Sequence, residues 1–155
     1  MFLENQYQIS YVTDDLEAGV AAFKEQFGVA EFRILADGTG SGSQVWTPEG
    51  EGPMVVKAAV ARVGKLIIEI MEPVSGMVSL YRDFIVPGQP LRMHHIAMLT
   101  DDIDTVRVES ERLGRPVVMS AEFKGGKLIY VDARATLGHY LEYVSTQAAT
   151  STRSQ

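Results

Sequence analysis

Four polar residues stand at matching places in two copies of one pattern. Gln8 opens Gln8-Ile9-Ser10-Tyr11-Val12-Thr13-Asp14-Asp15, and His95 opens His95-Ile96-Ala97-Met98-Leu99-Thr100-Asp101-Asp102. Glu69 interrupts the apolar run Leu66-Ile67-Ile68-Glu69-Ile70-Met71, and Glu142 interrupts Tyr140-Leu141-Glu142-Tyr143-Val144. A carboxylate inside an apolar strand is costly unless it is paired, protonated or bound to a cation. Each of these residues has an ordinary reading when taken singly. Gln8 is a hydrogen-bonded strand residue, His95 a satisfied core histidine, and Glu69 a residue on an exposed strand face. The twofold matching of all four points instead to one shared site. A carboxamide, an imidazole and two carboxylates suit a divalent ion. The two negative charges balance it, imidazole fits Zn²⁺, Ni²⁺, Co²⁺ or Fe²⁺, and the oxygen donors also admit Mn²⁺. Coordination positions left open would take water or substrate oxygens.

The elements that must position these residues follow from the repeat, because each copy has to form the same supersecondary unit. Tyr7 to Thr13 alternates as a strand, with Tyr7, Ile9 and Tyr11 on one face and Gln8, Ser10 and Val12 on the other. Asp14-Asp15 caps a helix carrying Leu16, Val20, Phe23 and Phe27, which Gly28 stops. The second copy gives a strand over Met93 to Thr100, a cap at Asp101-Asp102, a stripe of Ile103, Val106 and Leu113, and a stop at Gly114. Strand signals follow each helix: Ala30 to Leu35, Gln44 to Thr47, Val55 to Val63 and Lys65 to Glu72, then Pro116 to Ser120, Lys127 to Asp132 and Tyr140 to Val144. Gly125-Gly126 marks a hairpin. Asp37 to Ser43 and Pro48 to Pro53 read as loops, and Ser79 to Ile85 as a short helix between the copies.

The expected fold is therefore α+β: two tandem βαβββ modules forming a cup-shaped curved mixed sheet with helices on the outside. Module one spans about 5–73, the linker about 74–91 and module two about 92–145, within one domain over 1–147. Residues 148–155 are expected to be a disordered tail. His94 and His139 have the opposite strand parity to His95 and Glu142, so they are expected to face the helices and are not counted as ligands. Tyr140 shares Glu142's parity.

Composition removes several alternatives. The 155 residues suit one domain. Without cysteine there is no disulfide, thiolate ligand or thiol nucleophile. A net charge of −6 and the lack of a basic stripe argue against a nucleic-acid partner. No apolar run approaches a membrane span, and the acidic start is no signal peptide, so the expected location is cytoplasmic.

Several stretches resemble the vicinal oxygen chelate superfamily of paired βαβββ modules, and within it the glyoxalase I and methylmalonyl-CoA epimerase branch. They are Ile68-Glu69-Ile70-Met71-Glu72-Pro73, Tyr81-Arg82-Asp83-Phe84, Met93-His94-His95-Ile96-Ala97 and Asp132 to His139. The resemblance runs from about Tyr7 to Val144. It implies metal ligands at Gln8, Glu69, His95 and Glu142, a set similar to that of zinc-type glyoxalase I. Methylmalonyl-CoA epimerases usually carry His at the first position and Gln at the second, so this chain departs from them there.

The implied activity is that of a metal-dependent isomerase, epimerase or glyoxalase-type lyase. It would move a proton next to a carbonyl of a small acid, thioester or thiol adduct, with Glu142 as base and Glu69 as its partner. One divalent ion (Zn, Ni, Co or Mn), a small-molecule substrate and a homodimer are implied with it. The alternative is a metal-free binding or drug-sequestering protein of the bleomycin-resistance kind, in which Trp46 stacks on a flat ligand. An extradiol-type dioxygenase is a third reading, weakened because such enzymes usually carry a His/His/Glu triad and Gln8 stands here at the first position.

Overall fold

The computed structural model describes residues 2–35 and 43–146. The repeated Thr-Asp-Asp makes the same turn twice. After strand β1 (Gln6–Val12), the amide of Asp15 donates to Thr13 Oγ1, and Asp15 Oδ1 accepts from Ala18 N at 3.0 Å. That caps helix α1 (Leu16–Phe27). After strand β6 (Arg92–Leu99), Asp102 N donates to Thr100 Oγ1, and Asp102 Oδ1 accepts from Thr105 N at 2.9 Å, capping helix α3 (Ile103–Arg112). In each copy the threonine and the second aspartate close the turn, satisfying an orphan donor at the helix start. Gly28 ends α1 in the left-handed conformation, and Gly114 follows the end of α3 in the same conformation.

Module one continues with β2 (Arg33–Leu35), β3 (Gln44–Thr47), β4 (Gly50–Val63) and β5 (Leu66–Gly76). A short helix α2 (Ser79–Arg82) lies between the copies. Module two continues with β7 (Val117–Phe123), β8 (Gly126–Asp132), the one-turn helix α4 (Arg134–Leu137) and β9 (Tyr140–Thr146). The expected loop over Pro48 to Pro53 is shorter than its composition indicated. Thr47 pairs with Gly50 across a Pro48-Glu49 turn, so the glycines and glutamates that follow already belong to β4. The loop read over Asp37 to Ser43 lies almost wholly outside the described residues, and the tail read at 148–155 lies wholly outside them.

Each module lays its last strand parallel to its first. Ser10 of β1 pairs with Glu69 of β5, and Ala97 of β6 pairs with Glu142 of β9. The two modules meet where β1 and β6 run antiparallel, with Ile9 opposite Ile96. They meet again where β3 pairs with β7, at Val45–Ala121 and Trp46–Ser120. With β4 paired to β5, the curved sheet closes into a ring, and β2 alone among the described strands has a free edge. Most of the sheet edge that a homodimer could cover is therefore already paired within the chain. The expectation of a dimer rests on the family resemblance.

Helices α1 and α3 pack outside the ring. Leu16, Val20 and Phe23 cover Ala59 and Ile70, while Ile103 covers Met98, Ile129, Leu141 and Tyr143. Phe27 and Leu113, both expected on these stripes, are exposed: Phe27 sits at the last turn of α1, and Leu113 is already beyond α3. The inner cluster holds Val12, Met54, Met71, Tyr81, Met119 and Tyr130. Alternation places Glu69 between the α1-facing Ile68 and Ile70, and Glu142 between the α3-facing Leu141 and Tyr143. Both carboxylates consequently point into the ring.

Candidate active site

Gln8, Glu69, His95 and Glu142 are all buried and come together inside the ring. Gln8 Nε2 donates to Glu69 Oε2 at 2.8 Å. His95 Nε2 lies 3.2 Å from Glu142 Oε2 and 3.8 Å from Glu69 Oε2. One chain supplies all four. A cavity of about 80 Å³ opens beside them, lined by Gln8, Glu69 and Glu142 together with Tyr7, Tyr81 and Tyr130. Among the described residues, no lysine or arginine lines it.

Burial, reinforced by the neighbouring Glu142, raises the Glu69 carboxyl to about 7, although His95 and Ser10 pull it down. The phenols of Tyr7, Tyr81 and Tyr130 are pushed well above their ordinary value, chiefly by burial and further by Glu69 and Glu142. They stay neutral, and Tyr81 Oη donates to Tyr130 Oη at 3.0 Å. The salt-linked Asp132–Arg134 pair, with Arg134 over the Tyr140 ring at 4.9 Å, ties the end of β8 to the start of β9 and so fixes the strand that bears Glu142.

Strand parity misses two of the neighbouring residues, and in both cases a β-bulge is the reason. Between Gln6 and Gln8 the register slips, so Tyr7 reaches the cavity on the same side as Gln8. Between Ser10 and Tyr11 it slips again, leaving His94 as the extra residue on β6. His94 therefore does not face α1 or α3 as alternation predicts. Its Nδ1 lies 2.9 Å from His95 Nδ1, and its ring stacks on Tyr81. Tyr140 is buried in the inner cluster beside His94, on the parity expected of it, but does not line the cavity. Trp46 lies elsewhere, in an outer groove of about 500 Å³ with Arg107 and Lys127.

Among the described residues, no group of three or more His, Cys, Asp or Glu side chains is arranged to hold a metal ion as it stands. Glu69 is instead drawn onto the Gln8 amide. The donor chemistry nevertheless fits a cation. His95 Nε2 is a buried nitrogen with no hydrogen-bond partner, and the groups nearest to it are two carboxylates. Such a cluster needs a proton or a cation at its centre.

A family model for the Glyoxalase/Bleomycin resistance protein/Dioxygenase superfamily matches residues 7–131. The chain belongs to this superfamily. No curated protein matches it in sequence. Among solved structures, it is similar to methylmalonyl-CoA epimerase from Mycobacterium tuberculosis, at 12% identity over 94% of this chain and 89% of that one, with a TM-score of 0.59. A methylmalonyl-CoA epimerase solved with methylmalonyl-CoA and NH4⁺ gives 16% identity over 94% and 96%, with a TM-score of 0.60. A variant of the Streptomyces coelicolor epimerase with 2-nitronate-propionyl-CoA gives 16% over 92% and 96%, with a TM-score of 0.59. These superfamily likenesses establish the shared fold. The curved sheet, the paired modules and the outer helices are those that the repeat predicts; the closure into a ring through β3 and β7 is not.

Proposed function

We propose that this superfamily member is a metal-dependent isomerase, epimerase or lyase that moves a proton on carbon next to a carbonyl. The observation that carries this reading is the meeting of Glu69 and Glu142 at one bare imidazole nitrogen beside a small cavity. Gln8, Glu69, His95 and Glu142 would hold one divalent ion. Such an ion supplies Lewis-acid stabilisation of the negative charge that develops on a carbonyl oxygen. Glu142 Oε2 takes the carbon-bound proton. A second proton, delivered by a protonated Glu69 to the other face of the carbon, inverts it; return of the first proton from Glu142 to the neighbouring carbon gives an isomer, and its delivery to a departing thiolate as the C–S bond breaks completes a lyase step. The neutral hydroxyls of Tyr7, Tyr81 and Tyr130 orient substrate oxygens. The buried methionines Met54, Met71 and Met119 exclude water. The cavity admits a small acyl or carbonyl fragment, so a thioester or thiol carrier would lie outside the ring.

A second reading is sequestration without turnover. It draws on Trp46 in the larger outer groove, where a flat ligand has room to stack. One experiment separates the two. Protein reconstituted with Zn²⁺, Ni²⁺, Co²⁺ or Mn²⁺ is incubated in D2O with acyl thioesters, hydroxy-ketones and glutathione adducts. Deuterium should enter one substrate carbon, and Glu142→Gln should slow its entry by roughly 10²–10⁴-fold, the usual scale for a general base. Tight binding with no exchange across the panel would favour sequestration.

A further inference from the structure

His94 is absorbed by neither the ligand set nor the proton chemistry, yet it is fully buried against the site. Its ring lies against Tyr81 at 4.7 Å, Phe84 at 4.8 Å and Tyr140 at 5.1 Å between centroids. Its two nitrogens face different partners. His94 Nε2 is 3.1 Å from the carbonyl oxygen of Leu80 in α2, and His94 Nδ1 is 2.9 Å from His95 Nδ1.

Hydrogen-bond accounting leaves one consistent arrangement. A carbonyl only accepts, so His94 Nε2 carries the hydrogen. His94 is fully buried among the Tyr81, Phe84 and Tyr140 rings, where an imidazolium would be an uncompensated charge, so it is neutral. A neutral imidazole has one N–H, and His94 Nδ1 is therefore an acceptor. The hydrogen between the two rings must then belong to His95 Nδ1. His95 Nε2 makes no hydrogen bond although the Glu142 and Glu69 oxygens lie 3.2 and 3.8 Å away, as expected of a nitrogen that carries no hydrogen.

We propose that His94 is a positioning residue: a one-way chain from His95 through His94 to the Leu80 carbonyl locks His95 in its Nδ1–H tautomer and aims the Nε2 lone pair into the cavity. Ligating histidines are commonly fixed by a hydrogen bond from their other ring nitrogen to a carboxylate, a carbonyl or water. Here the acceptor is a second histidine, brought within reach by the β6 bulge and held by the helix between the modules. The tautomer assignment stands without any metal; its purpose rests on the metal reading above.

The test uses long-range ¹H–¹⁵N correlation of the histidine rings in the metal-free full chain at neutral pH. Wild type should show His95 protonated at Nδ1 and bare at Nε2. His94→Asn places a carboxamide oxygen close to the lost Nδ1 and should keep that tautomer. His94→Leu has the same shape without an acceptor and should release His95 to the Nε2–H form, which can donate to Glu142. Zn²⁺ affinity, measured by chelator competition, should fall roughly 10–100-fold in His94→Leu, the usual cost of losing an outer partner, and stay near wild type in His94→Asn. An Nε2–H tautomer in wild type overturns the proposal, and that measurement holds even if a variant does not fold. An unchanged tautomer in folded His94→Leu overturns it as well. The expected tautomer switch, with no Zn²⁺ uptake by any of the proteins, supports the relay and overturns the metal reading alone.

Discussion

In the first half of the cup, Gln8 and Glu69 satisfy one another across 2.8 Å. In the second half, His95 turns a nitrogen without a hydrogen-bond partner toward Glu142 at 3.2 Å and is backed by His94 and the Leu80 carbonyl. The scaffold beneath is the same in both: the same threonine–aspartate turn, the same parallel pairing, the same inward parity. The repeat thus fixes where a functional side chain stands, and the residue chosen there decides what it does. Module one closes on itself through an amide, which can only hydrogen-bond or ligate weakly. In the proposed site, module two would present the stronger nitrogen ligand, oriented by His94.

Removing the opening residue from each half should separate the two modules most widely. His95→Ala should abolish stoichiometric metal uptake, with affinity falling more than about 100-fold, beyond the usual cost of an outer-shell change. Gln8→Ala should cost about tenfold at most, because a neutral amide is the weakest donor of the set. Metal content by atomic emission after reconstitution and dialysis checks both. Equal losses would show that the halves contribute alike.

The next effect concerns Glu69 and its proton. The carboxyl rises from an ordinary 4.5 to about 7 on burial beside Glu142. The folded protein therefore holds a proton that the unfolded chain has released. The contribution of Glu69 to the stability of the metal-free protein is fullest below about pH 4.5 and declines as pH rises to about 7, by about 3 kcal/mol at 1.36 kcal/mol per pKa unit. Glu69→Gln should flatten that slope, measured as the difference from wild type in urea unfolding across the window. In the same window a cation must displace the proton, so affinity should fall about tenfold per pH unit below about 7. A difference curve without slope would mean that Gln8 and Ser10 already stabilise the ionised carboxylate.

Much of this was legible in the chain because the repeat carries it. Thr13, Asp15, Thr100 and Asp102 declare two identical helix starts, and Glu69 and Glu142 stand out in strands otherwise apolar. What alternation could not reveal came from the bulges. One extra residue in β1 brings Tyr7 to the cavity, and one in β6 brings His94 beside His95. Nothing in local propensity marks such a slip, because it is set by how two distant strands must register. The β3–β7 contact that closes the ring is equally non-local: it joins Trp46 to Ser120 with little to show for it in either segment alone. The linker reads as a connection with a short helix at Ser79 to Ile85, but nothing in its sequence marks α2 as the source of the Tyr81 ring and the Leu80 carbonyl that hold His94.

The smallest expected effect sits where the outer helices differ. Aligning the repeats places Gly19 of α1 against Val106 of α3. A Cβ at Gly19 would come within 3.2 Å of Leu91 Cδ2 and 3.3 Å of Ile70 Cγ2. Ile70 is fully buried and β-branched on a strand paired on both sides, so it yields little, while the partly buried Leu91 can turn away. Helix propensity favours Gly19→Ala by up to about 1 kcal/mol, and overpacking opposes it by roughly 1–3 kcal/mol. The net expectation is a loss of about 1 kcal/mol, read as a shift in urea midpoint at constant slope. Because Ile70 adjoins Glu69, the same variant should lower Zn²⁺ affinity slightly. Val106→Ala in the other half should destabilise by a comparable amount and leave that affinity unchanged. A stabilised Gly19→Ala protein would show instead that α1 can lift from β5 without strain, and that the close approach in module one is not what holds Glu69 in place.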